Sequence, residues 1–238
     1  MFDCTVLDFV LRKAAPLYHR GDVAVASEKA SLMCAMRQMV RLKTQQVVLV
    51  DEHDKVVALL AASRVCELLE RFFGQTAIAS QHVASRFDIM MSSQVFATTP
   101  SAVLSRAFQF MLEKRVSALA VVDGVHKELV GSLSLSDVAT LLDSELFFGT
   151  ARGTVGTFLG TKASAPHSVE RPKVIAVTPT DTYGDVLRLI VAYKVHRVWV
   201  VEPKHKSPIA VVSAWDVMRF VVTDGESKPE LVLFDESE

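Results

Sequence analysis

Residues 115–123 read RVSALAVVD, and residues 130–138 read VGSLSLSDV. The first stretch is an apolar β-type run that ends in Asp123, and a short polar turn separates it from the second run. Two β-rich runs joined by a short polar link are typical of a strand pair. The same order occurs twice more in the chain, around Asp51 and around Glu202. The sequence therefore predicts three copies of one unit.

Each copy also carries one helical pattern before its acid and another after its second strand. Apolar side chains recur at i, i+3, i+4 and i+7, which is one face of an α-helix. In the first helix the matching columns are Leu32, Ala35, Met36, Met39; Leu104, Ala107, Phe108, Met111; and Tyr183, Val186, Leu187, Ile190. The predicted unit is β-α-β-β-α, a fold of the α/β (α+β) class with a small mixed sheet and two helices. The predicted boundaries are repeat 1 at 1–74, repeat 2 at 75–150, repeat 3 at 151–223 and an acidic tail at 224–238.

Composition narrows the class of protein. Half of the residues are hydrophobic, but no apolar run approaches the roughly 20 residues of a membrane helix, so no membrane span is predicted. The net charge is −1, so the composition does not predict the excess of basic residues that is typical of nucleic-acid-binding proteins. The three cysteines lack metal or disulfide spacing, which favours a reducing compartment, the cytoplasm with the nucleus as a second location. Cys34 and Cys66 are predicted to be buried thiols, and the turn histidines are predicted surface side chains: His53, His126 and His205.

Several stretches of the chain resemble CBS (cystathionine-β-synthase) domains. In the second copy they are Thr99-Pro100, residues 115–123 and residues 130–138, and in the third copy they are residues 194–201 and 211–217. Within that family the likeness is greatest to the γ subunit of AMP-activated, SNF1-type protein kinases. That subunit has four repeats paired into two Bateman modules, and this chain resembles its second to fourth repeats. The resemblance implies a non-catalytic regulatory subunit that binds AMP, ADP or ATP and uses no catalytic cofactor. It implies kinase catalytic and scaffold subunits as partners, and a homodimer is the alternative.

Two acids are the predicted ribose ligands. Asp137 and Asp216 lie at the start of the second helix of their repeats, together with Ser134 and Ser213. A carboxylate there can accept hydrogen bonds from both ribose hydroxyls, and the resemblance implies that role. The alternative is structural, because Ser followed by Asp three residues later is also the spacing of a helix N-cap.

Five basic side chains are predicted to contact phosphate. His196 and Arg197 lie just before a buried strand, and a guanidinium can bind phosphate oxygens through two hydrogen bonds. Lys194, Arg115 and Lys43 occupy one column of the three repeats. The alternative is a set of solvated charges. Repeat 1 has Gln45-Gln46 in the columns of His196-Arg197, and Arg64 in the column of the ribose acid, so its site is predicted to be degenerate.

The threonine segments after the first strands are the predicted contacts for adenine and ribose: Thr98, Thr99, Thr178, Thr180 and Asp181. Thr-Pro followed by a polar residue also starts a helix without any ligand. No metal ligand set and no catalytic constellation is predicted. Two further functions stay open, a scaffold without a ligand and a sensor of another adenosyl ligand such as S-adenosylmethionine. Repeat 2 is predicted to pair with repeat 3, which leaves repeat 1 for a second protomer or another protein.

Overall fold

The structure is a computed structural model, described for residues 24–73, 79–86, 95–138, 153–163 and 174–226. Each predicted repeat contains one three-stranded sheet. In every sheet the first strand is parallel to the second, and the second is antiparallel to the third. The predicted β-α-β-β-α order is confirmed in these ranges. The second helix of repeat 2 lies outside the described residues beyond Val138.

The elements follow the chain in order. Repeat 1 contains β1 (Val25–Ser27), α1 (Leu32–Arg41), β2 (Gln46–Val50), β3 (Val56–Ala61) and α2 (Ala62–Phe73), and a 3₁₀ helix follows at Val83–Arg86. Repeat 2 contains β4 (Ala97–Thr98), α3 (Leu104–Lys114), β5 (Ala118–Asp123) and β6 (Glu128–Ser134). Repeat 3 contains α4 (Val155–Ala163), β7 (Ala176–Val177), α5 (Tyr183–Tyr193), β8 (Arg197–Val201), β9 (Pro208–Ser213) and α6 (Ala214–Glu226).

Repeats 1 and 3 share one core, which their helices form. α6 packs against α1 and α2, and α2 packs against α5. The buried side chains of this core include Met36, Met39, Leu69, Ile190 and Phe220. The sequence predicts that repeat 1 packs on another molecule, and for its helices this is wrong. Helices with apolar faces on both repeats can bury them within one chain, without the entropy cost of association.

Repeats 2 and 3 face each other through their sheets, as predicted. Alternate residues of β5 (Ala118, Ala120 and Val122) form one buried cluster with Trp199 and Val201 of β8. The residues between them point to the helical side of each sheet, because successive strand residues face opposite ways. Repeat 3 therefore lies between the other two repeats, with its helices on repeat 1 and its sheet on repeat 2.

One prediction about a single side chain, the burial of Cys34, is wrong. Cys66 is buried as predicted, and burial raises the pKa of its thiol to about 12 because the thiolate would lose its hydration. Cys34 is exposed, on the side of α1 that faces away from the core. His126 is exposed, as predicted, and His205 is partly buried; their rings stack with centroids 4.2 Å apart. Among the described helices, none combines the length and apolar character of a membrane-spanning helix.

The first helix of every repeat ends next to a basic residue in the left-handed backbone conformation. The φ angle is 50° at Lys43, 54° at Arg115 and 50° at Lys194. A side chain in this conformation brings Cβ close to the backbone, so glycine is the usual residue at such a helix end. At these three positions the residue therefore forms the turn that ends the helix, whatever its side-chain charge does.

Replacing Lys194 with glycine is expected to raise the free energy of unfolding by about 1 kcal/mol, because the strain at positive φ disappears. Urea unfolding would measure the change. Lys204→Gly is the matched control, since Lys204 is an exposed lysine at ordinary φ and should give no gain. Equal effects of the two substitutions would contradict the prediction.

Candidate functional site

The predicted ribose residues and Arg197 lie at one edge of the paired sheets. Arg197, at the start of β8, pairs with Ser213 at the end of β9. In repeat 2, Ala118 at the start of β5 pairs with Ser134 at the end of β6. A hydrogen bond from Arg197 Nη2 to Ser117 Oγ, at 3.1 Å, joins the two repeats at this edge. The edge therefore collects groups from two segments that are far apart in the sequence.

Asp216 is a partly buried acid in the first turn of its own helix. Its Oδ2 accepts hydrogen bonds from the Ser213 backbone N–H at 2.8 Å and from Ser213 Oγ at 2.5 Å. Burial raises the pKa of Asp216, while the two bonds from Ser213 and the positive Arg219 and Arg197 oppose that rise. Both bonds from Ser213 end on Oδ2, and neither of them involves the second carboxylate oxygen, Oδ1.

Asp137 repeats this arrangement in repeat 2. It is 4% exposed, and its Oδ2 accepts a hydrogen bond from the Ser134 backbone N–H at 2.8 Å. The hydroxyl of Ser134 pairs instead with Ser136 Oγ, at 2.7 Å. The structural alternative, an N-terminal cap, is present at Asp216, where the backbone N–H of Asp216 also donates to Ser213 Oγ at 3.3 Å. In repeat 2 the bond from Ser134 to Asp137 matches one half of that cap. The ligand role of both acids stays a prediction.

His196 and Arg197 differ in charge. Burial lowers the pKa of His196, and the neighbouring Arg197 lowers it further, so the imidazole is neutral at physiological pH. His196 can therefore offer a hydrogen bond, and Arg197 supplies the positive charge. Ser117 was not predicted as a site residue, although its place in the column of His196 could have indicated it.

The remaining basic candidates are exposed side chains at the helix ends described above. Arg115 and Lys194 precede Ser117 and Arg197 by two and three residues, whereas Lys43 belongs to repeat 1. No hydrogen bond within the described residues links any of the three to the site edge. Their predicted phosphate contacts stay predictions, while their conformation already gives them a structural role.

The threonine segments are separated from the acids of their own repeats. Val177 pairs with Val200 near the end of β8, so Thr178 follows at the opposite end of the strand from Arg197. Thr178 N–H and Thr178 Oγ1 both bond to Asp181 Oδ2, at 2.6 and 2.9 Å. Thr180 Oγ1 lies 2.9 Å from Thr178 Oγ1, which completes a local turn.

Repeat 2 has the same topology with fewer polar contacts. Thr98 pairs with Val121 near the end of β5, and Thr99 Oγ1 lies 3.0 Å from Ser101 Oγ. The structure therefore does not bring the threonine segment and the acid of one repeat together at a single point. The helix-start alternative describes the observed contacts of these segments.

Repeat 1 lacks the charges of such a site. Arg64, in the column of the ribose acid, forms an ion pair with Glu67 on the same helix. Gln45 and Gln46 are exposed and replace the His-Arg pair of repeat 3. No cluster of three or more potential metal ligands occurs among the described residues.

The CBS domain family matches residues 86–144 and 167–223, which contain the sheets of repeats 2 and 3. The third sheet, in repeat 1, has the same strand order. Residues 86–144 and 167–223 are therefore two CBS domains in tandem.

Within this class the chain is similar to a kinase γ-type regulatory subunit and to sds23. It is 28% identical over 138 residues to an SNF1-related protein kinase regulatory subunit gamma-1-like protein of Arabidopsis thaliana, covering 57% of this chain and 31% of that protein. It is 28% identical over 200 residues to protein sds23 of Aspergillus niger, covering 81% and 39%. The chain thus spans about a third of the length of these relatives.

Solved structures show the same fold. A protein from Methanocaldococcus jannaschii, described as a candidate archaeal homologue of γ-AMPK, matches with a TM-score of 0.65 and 15% identity, over 91% of this chain and 80% of that one. An uncharacterized conserved protein from Pyrococcus horikoshii matches with a TM-score of 0.63 and 23% identity, over 84% and 80%.

Proposed function

We propose that this protein is a non-catalytic regulatory subunit that binds an adenine nucleotide, AMP, ADP or ATP, between repeats 2 and 3. The observation that carries the proposal is the bond from Arg197 Nη2 to Ser117 Oγ. It holds a guanidinium of repeat 3 against repeat 2, at the edge where Asp216 and Asp137 also lie. An acid for ribose hydroxyls and a cation for phosphates then share one edge of the paired sheets.

The chemistry assigns separate parts of the ligand to separate groups. The carboxylate of Asp216 or Asp137 would accept the ribose hydroxyls, and Arg197 would bind phosphate oxygens through charge-assisted hydrogen bonds. His196 is neutral and would add a hydrogen bond. Lys194 and Arg115, one on each repeat, are the candidates to reach a longer phosphate chain.

Regulation requires that two ligands favour different arrangements of the protein. AMP and ATP share the adenosine and differ in phosphate charge and length, so only the phosphate side of the cleft can distinguish them. A ligand that binds two states equally shifts neither. By its similarity to a kinase regulatory subunit, the chain would pass this difference to kinase catalytic and scaffold subunits.

A scaffold role without a ligand is the second candidate, and repeat 1 favours it locally. The ion pair between Arg64 and Glu67 occupies the position where a ribose acid would be needed. A sensor of S-adenosylmethionine is a further alternative for repeats 2 and 3, since the ribose acid would recognise any adenosyl ligand. That ligand has no phosphate, so it would not need Arg197.

Isothermal titration calorimetry of the whole chain with AMP, ADP, ATP and S-adenosylmethionine tests the proposal. Asp216→Asn or Asp137→Asn is expected to weaken nucleotide binding by roughly 10- to 100-fold, because a hydrogen bond to a charged group contributes about 1.5–3 kcal/mol. Binding should also weaken on acidification. The raised pKa of Asp216 places that loss at higher pH than for an ordinary aspartate.

Asp185→Asn is the matched control. Asp185 is also the acid of a helix cap, bonded to Thr182 Oγ1 at 2.6 Å, but it belongs to α5 on the helical side of repeat 3. Its replacement should leave nucleotide affinity unchanged. No heat with any of the four ligands would overturn the proposal, and binding of S-adenosylmethionine alone would replace the nucleotide with that ligand.

A further inference from the structure

One face of the repeat 1 sheet is apolar and exposed. Val25 is 46% exposed, Val56 is 65% exposed and Leu59 is 58% exposed. Strand pairing places Val25 and Leu59 on either side of Val48, and Val56 beside Val50. We call these five residues the open face. It contains no charged side chain, and the ion pair of Lys29 with Glu52 lies outside it.

The two central columns of this face, those of Val48 and Val50, are buried in the other two repeats. In strand register, Val48 corresponds to Ala120 of repeat 2 and Trp199 of repeat 3, which are 0% and 3% exposed. Val50 likewise corresponds to Val122 and Val201, which belong to the core between the two sheets. The open face is thus the surface that repeats 2 and 3 use to pair with each other.

The hairpins of repeats 2 and 3 show that this pairing is nearly symmetric. Lys127 and Lys206 have φ angles of 54° and 55° and hold equivalent positions before the third strand. The residues that precede them, His126 and His205, stack with ring centroids 4.2 Å apart and an interplanar angle of 22°. Equivalent side chains meet each other, which is the property of contacts along a two-fold axis.

Repeat 1 keeps each of these hairpin features. Asp54 has the corresponding positive φ, at 58°, and the residue before it is His53. The side chain of His53 is 82% exposed. A two-fold axis at this hairpin would therefore stack His53 on the same residue of a second copy.

A backbone contact supports the same geometry. Between repeats 2 and 3, the N–H of Leu129 donates to the carbonyl of Lys206 at 3.0 Å. The symmetric bond would need a donor at Pro208, which has no N–H. In repeat 1 the corresponding residue is Val56, which has one. Two copies of repeat 1 could thus form this bond twice.

We propose that a second copy of this chain covers the open face, with repeat 1 packed against repeat 1 about a two-fold axis through the His53 hairpins. A second copy suits the face because the face is apolar and free of charge, so it is complementary to itself. The resulting dimer has a sheet-to-sheet contact of the same kind that joins repeats 2 and 3. The proposal does not depend on nucleotide binding.

Sedimentation equilibrium of the whole chain over a wide concentration range tests the proposal, and a monomer–dimer equilibrium is expected. Val56→Lys should weaken dimerisation at least about tenfold, because it buries an unpaired charge in the contact. Val125→Lys is the matched control, since Val125 is 95% exposed on the hairpin of repeat 2 and its replacement should change nothing. A monomer at every concentration, or a dimer unaffected by Val56→Lys, would overturn the proposal.

Disulfide trapping tests the position of the axis. In a chain with Cys4→Ser and Cys34→Ser, oxidation of the His53→Cys variant should give a covalent dimer. The Val125→Cys variant in the same background should remain a monomer under denaturing, non-reducing conditions. Cys66 is buried and can stay in place. Equal cross-linking of both variants, or cross-linking of Val125→Cys alone, would place the contact elsewhere and overturn the proposed arrangement.

Discussion

Replacing Phe220 with alanine is expected to lower the free energy of unfolding by about 3–5 kcal/mol, the usual loss for a large buried aromatic side chain. Phe220 is 1% exposed and stacks on Tyr183, with ring centroids 4.2 Å apart. It lies on α6, in the core that repeats 1 and 3 share. The cavity would therefore weaken the attachment of repeat 1 to the rest of the chain as well as repeat 3 itself.

Chemical denaturation followed by circular dichroism would measure this loss. Phe72→Ala is the matched control, because Phe72 is 66% exposed on α2 and contributes mainly a contact with Arg71. Its replacement should change stability by less than about 0.5 kcal/mol. Faster hydrogen exchange in α1 and α6 together, caused by Phe220→Ala alone, would show that the two repeats depend on one core. Comparable losses in both variants would contradict the expected role of Phe220.

Trp199→Ala is the second large effect, with an expected loss of about 3–5 kcal/mol. Trp199 is 3% exposed in the cluster between the sheets of repeats 2 and 3, next to Ala120 and Val201. Its loss would open the interface that forms the proposed nucleotide cleft. Nucleotide binding should therefore decline together with stability.

Trp199→Phe separates packing from hydrogen bonding at this position. The indole Nε1 of Trp199 is buried and has no hydrogen-bond partner among the described residues. Phenylalanine removes that polar atom and keeps most of the apolar area, so a loss below about 1.5 kcal/mol is expected. Urea unfolding of the two variants side by side is the measurement. A loss with Trp199→Phe as large as with Trp199→Ala would mean that the indole N–H is needed.

Much of the local structure was predictable from the sequence. The predicted first helix of each repeat forms, as α1, α3 and α5. The predicted strand pairs around Asp51, Asp123 and Glu202 form as well. The buried columns of α1 include Ala35, Met36 and Met39, as the periodicity predicts. These features depend on residues close together in the chain, and apolar spacing records them directly.

The candidate site was only partly predictable. The Ser-Asp pairs at 134–137 and 213–216 predicted both a cap and a ligand role, and the bonds now observed are those of the cap. The column of Lys43, Arg115 and Lys194 suggested phosphate binding, while its shared feature in the structure is a positive φ. The bond from Arg197 to Ser117 spans two repeats, so no local pattern indicates it.

The sequence alone determined the repeat, its strand and helix order, and the cap at Ser213 that begins α6, because each depends on contacts within a few residues or on a pattern copied three times. Only the tertiary structure decided which surface of each repeat is shared. The helices and sheets of all three repeats have apolar faces, and composition cannot say which face meets which. The helical core between repeats 1 and 3, the stacked His126 and His205, and the open face of repeat 1 all result from long-range packing. Such packing is selected by the fit of whole surfaces, which no single stretch of the chain contains.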